Sequence, residues 1–142
     1  MARSVKRDPL LTCFTLCDRV YHDEISRKWG AMGLYNSLTA DTVPMGVLEM
    51  WFFCRIADAP REIAMKGSIV SPSGLVIAEC TKHFSRTDTQ QGGIPGVDGW
   101  WEIGGRFKEV MFTAYGRYSV EMAVNGVTLG ETALYIVKPP KE

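Results

Sequence analysis

No stretch of these 142 residues stays apolar for anything near the roughly 20 residues that a membrane-crossing helix needs. No secretory leader is expected either. The basic start Ala2-Arg3-Ser4-Val5-Lys6-Arg7 runs into Asp8-Pro9, and the apolar segment Leu10 to Leu16 is short and broken by Thr and Cys. Residues 1–8 are therefore expected to be a solvated, frayed end of a cytoplasmic chain. An excess of charge is absent too: 16 basic residues balance 16 acidic ones. Non-specific nucleic-acid binding needs a dense basic surface against phosphate, so no nucleic-acid partner is expected. The four cysteines, Cys13, Cys17, Cys54 and Cys80, show no CxxC spacing and all sit in apolar runs. In a reducing compartment they read as buried thiols that act as small hydrophobes.

Helical periodicity of convincing length is absent as well. Alternation with period two is present instead, and recurrent glycine and proline cut the chain into short runs, the pattern of an all-β domain. One domain over 1–142 is expected, since domains of about 100–150 residues are typical and 46% of the chain is hydrophobic. The first strand spans about Leu10 to Val20, apolar on both faces. A polar loop from Asp18 to Ser26 carries His22-Asp23-Glu24. A second strand covers Lys28 to Leu34, thinned by Gly30 and Gly33, where a bulge or close backbone approach is expected.

The bend Thr39-Ala40-Asp41-Thr42-Val43-Pro44 then leads into the most apolar strand, Val47 to Ile56. Leu48, Met50, Phe52, Cys54 and Ile56 form one continuous apolar face, opposed by Val47, Glu49, Trp51, Phe53 and Arg55. Burying that face contributes on the order of 8–12 kcal/mol before entropy is subtracted. Asp58-Ala59-Pro60 ends the strand. Glu62 to Val70 alternates cleanly, Ser71-Pro72-Ser73-Gly74 fits a type I turn, and Leu75 to Thr81 returns as its hairpin partner.

Residues 85–105 form a long irregular loop, with Gly92-Gly93, Pro95-Gly96, Trp100-Trp101 and Gly104-Gly105. Strands resume at Phe107 to Thr113 and from Gly116 through Val124. Asn125-Gly126 signals a type I′ hairpin, and Val127 to Val137 closes the fold before a 138–142 tail. The sum is an antiparallel β-sandwich of about seven to eight strands. A closed barrel is the alternative.

Particular residues carry a family resemblance. Phe14-Thr15-Leu16-Cys17-Asp18 resembles the opening strand of a family of small bacterial proteins of unknown function. Gly33, Leu34, Tyr35, Asn36, Ala40 and Pro44 are similar to its glycine–apolar–aromatic segment and bend to proline. Gly116-Arg117-Tyr118 and Val124-Asn125-Gly126 are similar to its closing strand and hairpin. The resemblance implies an immunoglobulin-like β-sandwich and assigns no catalytic or ligand residue. The segment Gln90 to Trp101 departs from it in length and aromatic content.

Chemistry finds little support. His22 and His83, the two histidines, lie far apart and read as a solvated turn and a strand end. A metal site would require them to converge with Asp18 or Glu24. No G-x-S-x-G elbow or phosphate loop is present. No catalytic residue, metal or cofactor is expected. The binding candidates are aromatic. Trp100 and Trp101 either stack on a sugar or peptide, or close the open end of the sandwich. Trp51 and Phe53 either form a patch for a partner or a second copy, or lie under a loop or the opposite sheet. The expected function is a non-enzymatic protein-binding or self-associating accessory module, a homo-oligomer among the options. A small-ligand or carbohydrate-binding module built on Trp100 and Trp101 is the alternative.

Overall fold

The computed structural model describes residues 8–85 and 99–141, without the side chains of Gly99 and Trp100. Nine strands follow one another: β1 (Leu10–His22), β2 (Trp29–Tyr35), β3 (Ser37–Thr39), β4 (Met45–Ala59), β5 (Glu62–Val70), β6 (Val76–Ser85), β7 (Gly99–Phe112), β8 (Gly116–Val124) and β9 (Val127–Val137). They form two sheets, in the orders β2-β1-β4-β7 and β3-β9-β8-β5-β6. One of the two curls into a half-barrel. The expected all-β architecture of two packed sheets is present, with nine strands among the described residues where about seven to eight were expected.

The sheets enclose one core. Phe52 packs against Phe107 at 5.4 Å and edge-on to Phe14 at 6.0 Å. From the second sheet, Ile63, Met65 and Ile69 of β5 and Tyr118, Val120, Met122 and Val124 of β8 are buried against them. Both sets follow the uninterrupted alternation of their strands, since successive side chains of a strand point to opposite faces. The Ser71–Gly74 turn forms as expected, with the Gly74 amide bonded to the Ser71 carbonyl at 2.9 Å. Asn125 and Gly126 both take positive φ, 50° and 82°, as a type I′ hairpin requires.

Four expectations are corrected. The first strand runs past Val20 through Tyr21 and His22, expected as loop, and pairs with β2 as far as His22↔Trp29; these two read as loop because the segment has no uniformly apolar face. Gly99–Gly105 is strand too, part of β7; the rest of the expected loop, with Gln90 to Asp98, lies outside the described residues. The twin glycines hide that strand, yet each is small for a reason. A Cβ on Gly104 would stand 2.8 Å from Val20 Cγ1, and one on Gly105 would meet the Phe52 ring. Ser37–Thr39, which runs into the expected bend, is a short strand pairing parallel with Tyr135–Val137, the one parallel ladder among the described strands.

The fourth correction concerns Leu48, which is 84% exposed. The face that β4 buries changes phase beside it. Met50, Phe52, Cys54 and Ile56 point into the core, whereas at the start of the strand Met45 and Val47 do so. β7 changes phase in step, from Ile103 and Phe107 to Val110 and Phe112, and Glu109 at the switch has φ 53°. β4 switches again at a bulge between Ile56 and Ala59, where Asp58 has φ 53° and the strand runs on to a buried Ala59. In β1 the register shifts between Leu11 and Cys13, and the Thr12 hydroxyl donates to the Arg55 carbonyl at 3.2 Å. The β1–β2 ribbon turns at Asp18 and Gly33 (φ 70°), with Asp18 occupying the space a Cβ on Gly33 would take. Beyond it, Val20 and Trp29 lie against Gly104.

Two side chains tie the sandwich together at its margins. Lys82 of β6 donates to the Gly104 carbonyl of β7 at 3.1 Å, placing a charge between two sheet edges. The Tyr118 hydroxyl donates to the Ala114 carbonyl at 2.8 Å and accepts from the Ala114 amide at 3.2 Å. That pair pins the crossover from β7 in one sheet to β8 in the other.

Candidate functional site

The aromatic candidates fall in different surroundings. Trp101 is partly buried. Its ring packs on Phe84 at 5.5 Å, and its indole N–H donates to the Pro60 carbonyl at 3.1 Å. It packs against the core beside the β4 bulge. The Trp100 side chain lies outside the described residues. Phe53 is only 8% exposed, because the folded-over β1–β2 ribbon sets the Trp29 ring 6.0 Å from it. The Arg55 guanidinium lies 6.0 Å from the Phe53 ring centre.

Trp51 remains partly exposed on the outer face of the four-stranded sheet. The ladders align one row across that sheet: Leu34 opposite Cys17, Cys17 opposite Trp51, and Trp51 opposite Arg106. Leu34 is 65% exposed, and Cys17 between them is buried. The indole N–H of Trp51 donates to a carboxylate oxygen of Glu49, two residues away on the same face. The other carboxylate oxygen of Glu49 accepts from Arg106 at 2.9 Å. The Arg106 guanidinium stands 5.4 Å from the Trp51 ring centre, close enough for cation–π attraction. Glu49 thus fixes both neighbours, and the indole rotamer is set before anything binds.

The charge around this row is uneven. Arg55 and Glu102 pair at 3.1 Å and Arg106 pairs with Glu49. Lys108, opposite Glu49, and Arg19, beyond Cys17 on β1, pair with no carboxylate among the described residues. The face therefore offers an aromatic ring and an exposed leucine beside Lys108. Beneath it, burial pushes the Cys17 thiol above its ordinary pKa, and the Asp18 carboxylate adds to that.

The polar candidates are not assembled. His22-Asp23-Glu24 ends in a tight turn, in which the Asp23 carboxylate accepts from the Ile25 amide at 2.9 Å and the Ser26 hydroxyl at 3.0 Å. Those bonds hold the Asp23 pKa below its ordinary value. His22 stacks on Trp29 at 4.9 Å. His83 borders a shallow depression with Glu62, Ser85 and Asn125. No group of three or more His, Cys, Asp or Glu side chains among the described residues is placed to hold a metal ion. Sequence reasoning missed Leu34 and Met32, both exposed on β2. The signal was the run Trp29 to Tyr35, seven residues without a charge.

No curated protein matches this chain. Residues 12–137 match a family of unknown function, DUF6941, across all nine strands except the first two residues of β1, and the chain belongs to that family.

Proposed function

We propose that this chain is a non-enzymatic binding module that recognises a protein through the outer sheet face around Trp51. The observation that carries the reading is that Glu49 fixes Trp51 and Arg106, which share one row with exposed Leu34. Tryptophan and arginine are the side chains most enriched among binding hot spots, and a ring already held in place loses little entropy on binding. Lys108, which pairs with no carboxylate among the described residues, favours a partner whose apolar anchor is flanked by carboxylates. The carbohydrate alternative has less support, because Trp101 uses its ring and its N–H internally.

An immunoglobulin-like reading of the sandwich is supported by the Tyr118 corner, a device of that fold class placed here at the start of β8. A cytoplasmic location is supported by the four free thiols.

Site-specific photocrosslinking in the native host tests the binding reading. A photoreactive residue at Lys108 is expected to yield a discrete protein adduct that is lost on Trp51→Ala or Arg106→Glu. The same probe at Val127, on the other sheet, is expected to yield none. No adduct at Lys108, or one indifferent to both substitutions, would overturn the reading.

A further inference from the structure

The free edges of the two sheets are treated differently. β3 is three residues long. β6 carries Glu79, Lys82 and His83, with Lys82 turned toward β7. β7 carries Glu102, Arg106, Lys108 and Glu109. Short length and charge are the usual means by which an edge avoids pairing with another chain. β2, the edge of the four-stranded sheet, has neither. Its seven residues, Trp29 to Tyr35, include no charge and no proline, and Met32 and Leu34 stand 59% and 65% exposed. The turn at Gly33 does not break this edge, since the pairs on either side, Cys17↔Leu34 and Arg19↔Met32, keep one register.

We infer that β2 is the self-association edge of this protein, and that its occupant is the β2 strand of a second copy, paired antiparallel about a two-fold axis at Met32. The sequence of the strand fits its own reverse. Centring on Met32 sets Leu34 opposite Gly30 of the second copy, Ala31 opposite Gly33, and Trp29 opposite Tyr35. Leu34 faces Gly30, which the Tyr21 ring covers, Ala31 faces Gly33, aromatics face aromatics, and Lys28 stays outside the paired segment. Cross-strand pairs of this kind are the unit of sheet stabilisation, and an isologous contact is the commonest route to a closed dimer. The product is a continuous eight-stranded sheet. The inference stands on the β2 edge and does not depend on the Trp51 face.

Light scattering coupled to size-exclusion chromatography, from low micromolar concentration to the solubility limit, tests it with charge exchange at the axis. The wild-type chain is expected to reach the dimer mass. Met32→Asp and Met32→Lys, each placing like charges opposite one another, are expected to run at the monomer mass with unchanged far-UV circular dichroism. Their equimolar mixture is expected to return to the dimer mass, and Trp51→Ala is expected to leave the dimer intact. A strict monomer at every concentration, a dimer that tolerates both charges, or a mixture that stays monomeric would overturn the inference.

Discussion

The Phe52 ring occupies the space that a Cβ on Gly105 would fill, directly across the β4–β7 ladder. Phe52 itself is fully buried and touches Phe14 and Phe107. A methyl group at Gly105 must therefore displace a ring that has nowhere to go. Gly105→Ala is expected to destabilise the fold by about 1–3 kcal/mol, the usual cost of overpacking. Chemical denaturation measures it. Phe52→Leu combined with Gly105→Ala is expected to cost less than the two single changes added, because the residues share one volume.

The phase change in β4 separates two neighbours that strict alternation would place together. Leu48→Gln is expected to change stability by no more than about 0.5 kcal/mol, as for other surface changes. Met50→Ala, in the fully buried phase, is expected to cost about 2–5 kcal/mol. At the matching switch on β7, Glu109 has φ 53°, a conformation that costs an L-residue roughly 1–2 kcal/mol. Denaturation midpoints are expected to rank Glu109→Gly above wild type and Glu109→Val below it.

Tyr118 is fully buried, and its hydroxyl makes two bonds to the backbone of Ala114. Tyr118→Phe keeps the ring, which meets Phe112 edge-on at 5.0 Å, and leaves the Ala114 groups without that partner. A loss of about 0.5–1.5 kcal/mol is expected, the net worth of a typical hydrogen bond, because Ala114 is exposed and water reaches its freed groups. Urea denaturation of the two proteins measures the difference, and an unchanged near-UV spectrum would show that the packing survives.

Burial pushes the Cys54 thiol from 9.0 up to about 12, with Cys13 and Cys80 adding to the effect. Burial likewise pushes Tyr35 from 10.0 to about 12, with Asp18 and Cys17 contributing. The unfolded chain releases these protons at the lower values while the folded chain keeps them. Their contribution to stability is fully present below pH 9 and is lost as pH rises toward 12. The urea midpoint is expected to be insensitive to these groups up to pH 9 and to fall above it, less steeply in Cys54→Val. In the native state at pH 8, alkylation followed by mass spectrometry is expected to spare Cys17 and Cys54, both buried, until denaturant is added.

Where a strand keeps one phase and ends in a turn with its own chemistry, its bounds were legible: Glu62–Val70 and Gly116–Val124 were expected within a residue of where they lie. The Ser71–Gly74 and Asn125-Gly126 turns announced themselves for the same reason. Gly104-Gly105 misled because the cause of their small size, Val20 and Phe52, sits on other strands. Leu48 misled because alternation carries no mark of a phase change whose agent, Glu109, lies on β7. The candidate site divides in the same way. That Trp51 and Phe53 share the less apolar face of β4 followed from spacing alone. That Trp29 covers one and leaves the other follows only from the turning of the β1–β2 ribbon at Asp18 and Gly33.

The parallel ladder between β3 and β9 has a consequence for synthesis on the ribosome. Ser37–Thr39 finds its partner only when Tyr135–Val137 has been made. At roughly 5–20 residues per second, that delay is on the order of 5–20 s. Throughout it the nascent chain carries an N-terminal hairpin whose next strand has no sheet to join. The uncharged strand β2, directly upstream, already has its partner β1, and its other edge stays open from the moment it emerges. A nascent-chain chaperone that favours uncharged, extended segments would meet this protein first at Trp29 to Tyr35.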